Sequence, residues 1–130
     1  MAPLLTFGDT GYRGQMLFFI MYRMHVPENM PGRGNHVWKA VYKSELKSSN
    51  NNRNQAQFEF NQFSLLVQDM CGGDRDKEVK VEFFQSSKNG KHKNLGSVLF
   101  TCNEAKNDTG ISINVVKQKG AKFSFNKLQF

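Results

Sequence analysis

The stretch that decides the fold is KVEFFQSSKNGKHKNLG at residues 80–96. Its first residues alternate between apolar and polar side chains, with Val81 and Phe83 on one face of the period. This alternation is typical of a β-strand that buries one face. The strand then runs into a long polar loop that carries a group of basic side chains: Lys88, Lys91, His92 and Lys93. The sequence therefore predicts a β-strand followed by a basic loop.

Short strands separated by turn residues account for most of the remaining sequence. The continuous apolar run MLFFIMYRM at residues 16–24 predicts a strand buried on both sides or central in a sheet. Prolines and glycines then break the chain, and a second strand that starts near His36 is expected to pair with the first as a hairpin. Other strands are predicted at residues 57–66, 77–84, 95–101, 110–116 and 121–130, and one helical turn or a tight connection at residues 64–74. About seven strands spaced in this way indicate a two-sheet sandwich or a barrel.

The length and composition predict a single domain that spans residues 1–130. A chain of 130 residues is long enough for one core and too short for two. Hydrophobic residues make up 38% of the chain and include 12 Phe, so we expect a Phe-rich core. No run approaches the roughly 18 to 20 apolar residues that span a bilayer, and the amino terminus does not have the pattern of a signal peptide.

Residues of the types used in catalysis are present, but their spacing is unfavourable. His25, His36 and His92 do not have the spacing of metal ligands, and no base can be assigned to Cys71 as a nucleophile. The segment PGRGNH at residues 31–36 lacks the full phosphate-loop pattern and is explained by a hairpin turn. We therefore expect a protein that is not an enzyme and that holds neither a metal nor another cofactor.

The two cysteines, Cys71 and Cys102, are too few for a disulfide framework or a zinc site. Two free thiols in a reduced intracellular compartment are the simpler interpretation. Pairing of the two cysteines is the alternative.

The charge balance favours an anionic partner. The chain has 18 Lys and Arg against 11 Asp and Glu, which gives a net charge of +7. Such an excess is typical of proteins that meet a phospholipid surface or a nucleic acid. A solvated strand face that prevents edge-to-edge association is the alternative explanation for any one cluster. The lysines concentrate in three groups: Lys39, Lys43 and Lys47; Lys88, Lys91 and Lys93; Lys117, Lys119, Lys122 and Lys127.

Several segments together resemble the C2 domain of copines, most closely the second of their two. They are VYKSELKSSNNN at residues 41–52, FEFNQFSLLVQDMCGGDRDKEVKVEFF at residues 58–84, and HKNLGS at residues 92–97. A family turn of the type Cys-x-Gly-Asp-x-Asp is matched here by Cys71, Gly73, Asp74 and Asp76, and Gly96 matches a glycine of the following strand. FGDTG at residues 7–11 and FFIMYR at residues 18–23 are similar to the first calcium-binding loop and the strand after it. The resemblance implies an all-β, eight-stranded antiparallel C2-type β-sandwich that docks on membranes through loops at one end.

The calcium-ligand positions of the family are degenerate in this chain. The acidic positions of the third loop correspond to Gln85, Ser87 and Lys93, while those of the first loop fall around Leu5 and Gly11 and leave only Asp9 nearby. Calcium takes about 6 to 8 oxygen ligands and needs several convergent carboxylates. We therefore expect negligible calcium binding.

The basic loop carries positive charge without a bound ion. Each Lys near an anionic leaflet contributes about 1 kcal/mol, so stable docking needs a second patch. A second group of lysines, spaced by four residues, is predicted to lie on one strand face: Lys39, Lys43 and Lys47. Successive lysines of this row are about 13 Å apart. Such a row suits lipid phosphates or, from the resemblance, a phosphoinositide. Tyr12 and Arg13 of the first loop supply an aromatic ring and a cation for the bilayer interface.

The favoured function is a non-catalytic, calcium-independent phospholipid-binding module of a cytoplasmic, peripheral membrane protein. The alternative is a protein-interaction or structural domain that has lost lipid and calcium binding and meets acidic partners through its lysines. Nucleic-acid binding ranks last, because the Phe residues alternate as core residues do and stacking on bases requires exposed rings.

Overall fold

A computed structural model describes residues 2–8, 11–12, 14–25, 37–49, 56–106, 112–118 and 120–126. The described residues form eight strands and two short helices. The strands are β1 (Ala2–Phe7), β2 (Leu17–His25), β3 (Val37–Lys43), β4 (Ala56–Glu59), β5 (Glu78–Gln85), β6 (Lys93–Thr101), β7 (Ser112–Asn114) and β8 (Lys122–Asn126). The helices are α1 (Val67–Cys71) and α2 (Cys102–Lys106).

The strands form two four-stranded sheets, one with the order β4-β1-β8-β7 and the other with the order β3-β2-β5-β6. We call them the first and the second sheet. Every pair of neighbouring strands is antiparallel. The predicted hairpin of β2 and β3 is confirmed. The eight-stranded antiparallel sandwich is confirmed as well, and the barrel is excluded.

Aromatic rings from both sheets fill the space between them. Phe19 and Phe83 of the second sheet and Phe123 of the first are fully buried. The ring centroids of Phe83 and Phe123 lie 4.9 Å apart, and those of Phe19 and Phe123 lie 6.1 Å apart. Burial of each such side chain contributes about 1.5 to 3 kcal/mol. The prediction of a Phe-rich core is confirmed.

The strand predicted at residues 57–66 was too long. β4 ends at Glu59, and the chain then crosses from the first sheet to the second along the open side of the sandwich. Two contacts fix this crossing: the ring of Phe63 stacks on Tyr42 with centroids 3.8 Å apart, and the amide of Asn61 donates to Glu45 Oε1 at 2.7 Å. The apolar residues after Glu59 therefore pack against the sandwich and do not continue the strand.

The helical turn expected at residues 64–74 is α1, which ends where Gly72 adopts a φ of 68°. The helix α2 was not predicted, because five residues are too few to show a helical period. Thr101 Oγ1 caps it by accepting a hydrogen bond from the amide of Glu104 at 3.1 Å. Among the described residues, no helix has the length and apolar character needed to cross a membrane.

The pairing registers show at which of the two ends of the sandwich each connection lies. Strands β1, β3, β5 and β7 end, and strands β2, β4, β6 and β8 begin, at one end, which we call the loop end. Three of its connections are the loops at residues 8–16, 86–92 and 115–121, which we call the three loops, and the connection from β3 to β4 starts and ends there as well. At the opposite end β5 begins beside the last residue of β6, Glu78 facing Thr101, so α1 and α2 lie there. We call this the helix end.

Candidate functional site

The three loops of the loop end are tied to one another by side-chain and backbone hydrogen bonds. Gln118 Nε2 donates to the hydroxyl of Tyr12 at 2.9 Å and so joins the third loop to the first. Gln85 Nε2 donates to Gln15 Oε1 at 2.9 Å, which joins the first loop to the end of β5. The loop end is therefore one surface built from both sheets.

The loop at residues 86–92 is folded onto itself by hydrogen bonds. The amide of Ser87 donates to His92 Nδ1 at 3.0 Å, so the neutral imidazole carries its proton on Nε2. Asn89 Oδ1 accepts from Ser87 Oγ at 2.7 Å and from the amide of Lys91 at 2.9 Å. Gly90 completes the turn with a φ of 79°. Because the polar groups of the loop satisfy each other, the long basic side chains are left on its outside.

The lysines of this loop face solvent without a carboxylate partner among the described residues. Lys88, Lys91 and Lys93 are all exposed. Within the part of the chain that the structure describes, an ion pair joins Lys80 Nζ to Glu82 Oε1 at 3.0 Å, and these three lysines form none. Their charge is therefore available to an external anion.

The positions expected to have lost calcium ligands lie in different environments. Leu5 lies in the core, Gln85 is hydrogen-bonded to Gln15, and Asp9 lies outside the described residues. The residues that the structure describes contain no group of three or more His, Cys, Asp or Glu side chains arranged to hold a metal ion. The described loop residues thus offer amide and hydroxyl oxygens beside ammonium groups, a donor set unsuited to a hard dication.

The predicted lysine row on one strand face is wrong. Lys43 lies opposite Ile20, whereas Lys39 lies opposite Arg23. Ile20 and Arg23 are three residues apart in β2, whose pairing with β5 is continuous, so they point to opposite faces of the sheet. The cause is a β-bulge at Val41, which inserts one residue and reverses the alternation.

Lys47 lies outside β3 altogether. Its backbone bridges to Leu17, and its ammonium group donates to Asn61 Oδ1 at 2.9 Å. The three lysines therefore belong to three different environments, and of these only that of Lys43 adjoins the basic loop.

Lys43 and the basic loop meet on the ring of Phe18, on the outer face of the second sheet. Lys43 Nζ lies 5.0 Å from the centroid of that ring, and the imidazole of His92 meets it edge-on at 5.0 Å. Phe84 stacks beside it at 5.2 Å. Phe18 is only 3% exposed although it faces outward, because these three side chains cover it. We call this group of four residues the Phe18 platform.

Further along the same face, Lys80 is already neutralised. Its ammonium group lies 5.1 Å from the ring centroid of Tyr22 and 4.9 Å from that of Trp38, and it pairs with Glu82. Burial, and secondarily the charge of Glu82, raises the pKa of Tyr22 above its ordinary value. This part of the face therefore carries less net positive charge than the Phe18 platform.

Of the two residues predicted for the first loop, Tyr12 and Arg13, the structure describes only Tyr12. Tyr12 stacks on Phe7 with ring centroids 4.4 Å apart and is half-buried, so its ring supports the sandwich as much as it faces solvent. Arg13 lies outside the described residues.

Sequence reasoning missed the third loop as part of this end. Val116 is 76% exposed and Lys117 beside it is exposed. The amide of Val116 donates to the carbonyl of Ser97 at 3.0 Å, which holds this loop against β6. Lys117 was recognised only as part of a charge cluster, because nothing in the sequence pattern places residues 115–118 against β6.

A search of solved structures finds the same architecture in a chain titled BON1-C2B, a C2 domain. The two superpose with a TM-score of 0.57 over 94% of this chain and 83% of that chain, at 15% sequence identity. The fold is a C2-type β-sandwich. C2 domains are generally non-catalytic and bind lipids or proteins. No protein-family model matches the sequence of this C2-type sandwich, and no curated protein matches it significantly.

Proposed function

We propose that this C2-type sandwich is a calcium-independent module that binds anionic phospholipids through its loop end, as a peripheral membrane domain in the cytoplasm. The observation that carries the proposal is a set of three exposed lysines: Lys88, Lys91 and Lys93. The first two lie on the internally hydrogen-bonded loop at residues 86–92, and the third directly follows it. None of them forms an ion pair among the described residues. The resemblance to the second C2 domain of copines, clearest over residues 41–96, supports the same role.

The Phe18 platform extends this basic surface onto the sheet. It brings Lys43 and His92 to the same ring, although they are far apart in the sequence. Four lysines contribute about 1 kcal/mol each, or about 4 kcal/mol together, to the attraction to an anionic leaflet: Lys43, Lys88, Lys91 and Lys93. That corresponds to a dissociation constant of about 1 mM, so the docking we propose is weak, screened by salt, and strengthened by any second contact. Lys39 and Lys47 lie outside this continuous surface.

Permanent charge replaces the calcium switch in the mechanism we propose. In a calcium-dependent C2 domain, bound calcium makes an acidic loop tip positive. Lysines, by contrast, are positive at every physiological pH. The described part of the loop end carries lysines and neutral oxygens, so an added dication would be repelled and not bound. Membrane contact is therefore constitutive in this proposal.

Vesicle sedimentation tests the proposal. Vesicles of phosphatidylcholine alone, with phosphatidylserine, or with a phosphoinositide are mixed with the protein in calcium or in chelator. We expect binding to both anionic compositions, unchanged by chelator and reduced by salt. Changing Lys88, Lys91 and Lys93 together to Glu lowers the partition coefficient by about a hundredfold, because about 3 kcal/mol of attraction is lost.

The matched control is a pair of single substitutions. Lys91→Glu and Lys77→Glu change the net charge equally, but Lys77 lies at the helix end. We expect a fivefold or greater loss, about 1 kcal/mol, for Lys91→Glu and almost none for Lys77→Glu. Absence of binding to every anionic vesicle, or binding that chelator abolishes, contradicts the proposal.

Binding of an acidic protein segment is the second candidate function. The strand β3 is an edge of the second sheet, and its exposed residues include Val37, Lys39 and Lys43. An unpaired edge can accept an extended peptide as an additional strand, and lysines favour an acidic one. This candidate is supported over the first if the wild-type protein binds a glutamate-rich peptide but no anionic vesicles, and if Lys39→Glu abolishes the binding of the peptide.

A further inference from the structure

The two cysteines lie together at the helix end. Cys71 is the last residue of α1, Cys102 is the first residue of α2, and both are at most 1% exposed. The thiol of Cys71 donates to the carbonyl of Val67 at 3.2 Å, and the thiol of Cys102 is hydrogen-bonded to the side chain of Cys71. The two sulfur atoms are therefore neighbours in one buried hydrogen-bonded chain.

Polar contacts outside this chain hold the two helices in place. The amide of Asn103 donates to the carbonyl of Arg75 at 3.1 Å, and Asn103 Nδ2 donates to Asp76 Oδ1 at 2.6 Å. These bonds join the residue after Cys102 to the turn after Cys71. The neighbourhood of the sulfurs thus does not depend on the thiol hydrogen bonds, which must break when a disulfide forms.

We propose that Cys71 and Cys102 are an oxidisable pair that forms a disulfide between α1 and α2 when a low-molecular-weight disulfide, such as oxidised glutathione, is present. One cysteine thiolate attacks the glutathione disulfide and releases one glutathione thiolate. The second cysteine then displaces the other glutathione from the mixed disulfide. In total the two thiols lose two protons and two electrons, and oxidised glutathione gains them as two molecules of reduced glutathione. The pair is therefore reduced in a reducing compartment and closed in an oxidising one.

Burial controls how fast the pair reacts. Desolvation, followed by the hydrogen bond to Cys71, raises the pKa of the Cys102 thiol to about 12. An exposed thiol titrates near 8.5, so the reactive thiolate of Cys102 is about three thousandfold scarcer at neutral pH. Exchange therefore waits for local opening at the helix end, and we expect its rate to rise with mild denaturant.

The test is equilibration of the full chain in glutathione buffers of increasing oxidised fraction. We expect an intramolecular Cys71–Cys102 disulfide in the peptide map, no free thiol after unfolding, and a rise in Tm on the order of 10 °C, because closing the loop restricts the unfolded chain. Cys71→Ser and Cys102→Ser are the controls. Each keeps a hydroxyl for the hydrogen-bonded chain and one thiol, so each gains one glutathione adduct and no increase in Tm.

Two results overturn the inference: both thiols stay free after equilibration in mild denaturant, or wild-type protein accumulates glutathione adducts in place of the internal disulfide. The second result means that the sulfurs meet but the backbone does not allow the bond. Vesicle binding is a separate readout, because the proposed lipid surface lies at the opposite end of the sandwich. Failure of either proposal leaves the other unaffected.

Discussion

At the residue scale, Gly96 determines how closely the third loop approaches β6. Its φ is 128°, and a Cβ atom at this position would lie 2.7 Å from Val115 Cγ1 and 3.0 Å from the backbone nitrogen of Lys117. The hydrogen bond between Val116 and Ser97 forms beside it. Only a residue without a side chain allows both the backbone conformation and the contact.

We expect Gly96→Ala to lower the free energy of unfolding by about 2 to 4 kcal/mol, because backbone strain and a clash with backbone atoms add together. Gly90→Ala is the matched control: its φ is also positive, at 79°, but a Cβ there meets nothing within 4 Å. It should cost about 1 to 2 kcal/mol from the conformation alone. Denaturant unfolding of both variants measures the difference. Equal losses would show that the contact with the third loop is unimportant.

The buried thiol of Cys102 gives the stability a defined pH dependence. Its pKa is about 12 in the folded chain, above the ordinary value near 8.5 for an unfolded one. The resulting stability is fully present below about pH 8.5 and is lost as the pH rises toward 12, because the unfolded chain releases a proton that the folded chain keeps. Between about pH 8.5 and 10 the loss is about 2 kcal/mol.

Urea unfolding of the reduced protein across this pH range measures the loss, and Cys102→Ser is expected to flatten it. Burial also raises the pKa values of Tyr22 and Tyr42 from 10.0, so their contribution falls at higher pH than this range. An unchanged slope in Cys102→Ser would assign the pH dependence to another group.

At the element scale, sequence patterns were informative where burial and alternation agree. The strands β2, β5 and β6 were predicted because long apolar or alternating runs coincide with paired, largely buried strands. The pattern failed in β3, where the bulge at Val41 shifts the register by one residue. An edge strand has polar and apolar residues on both faces, so its sequence does not show where such a residue is inserted.

The candidate site divides in the same way. The basic loop at residues 86–92 is visible in the sequence because its lysines are close together in the chain and the flanking strands are clear. The Phe18 platform was not predictable, because it joins Phe18, Lys43 and His92 through the registers of three strands and a folded loop. Local patterns specify elements, whereas such a contact depends on the pairing of distant ones.

The internal order of the basic loop rests on Asn89. We expect Asn89→Ala to remove its two accepted hydrogen bonds, at about 1 kcal/mol each, and to raise the hydrogen-exchange rate of the Lys91 amide by about tenfold or more. Global stability should change little, because the loop is exposed. Asn89→Asp keeps the acceptor oxygen and should preserve slow exchange. Equal exchange rates in wild type and Asn89→Ala would mean that the loop is held by other contacts.

At the scale of the whole molecule, Phe19 connects the two sheets. Its ring contacts Phe83 in its own sheet, Phe123 in the first sheet, and Phe60 and Phe63 in the segment that crosses between them. A single ring therefore contacts both sheets and the segment that connects them.

We expect Phe19→Ala to lower the free energy of unfolding by about 3 to 5 kcal/mol, because it removes buried area and leaves a cavity. Leu99→Ala is the control, since Leu99 is 47% exposed and its truncation leaves no enclosed space. It should cost less than about 1 kcal/mol. Similar losses for the two variants in denaturant unfolding would contradict the central role of Phe19.

The position of Trp38 gives the molecule a built-in optical reporter. It is the only tryptophan in the chain, and its indole lies under the ammonium group of Lys80 on the outer face of the second sheet. An anion that draws Lys80 away from Glu82 also removes a cation from the indole ring. The emission of the unlabelled protein therefore records whether a bound partner covers this face or only the loop end.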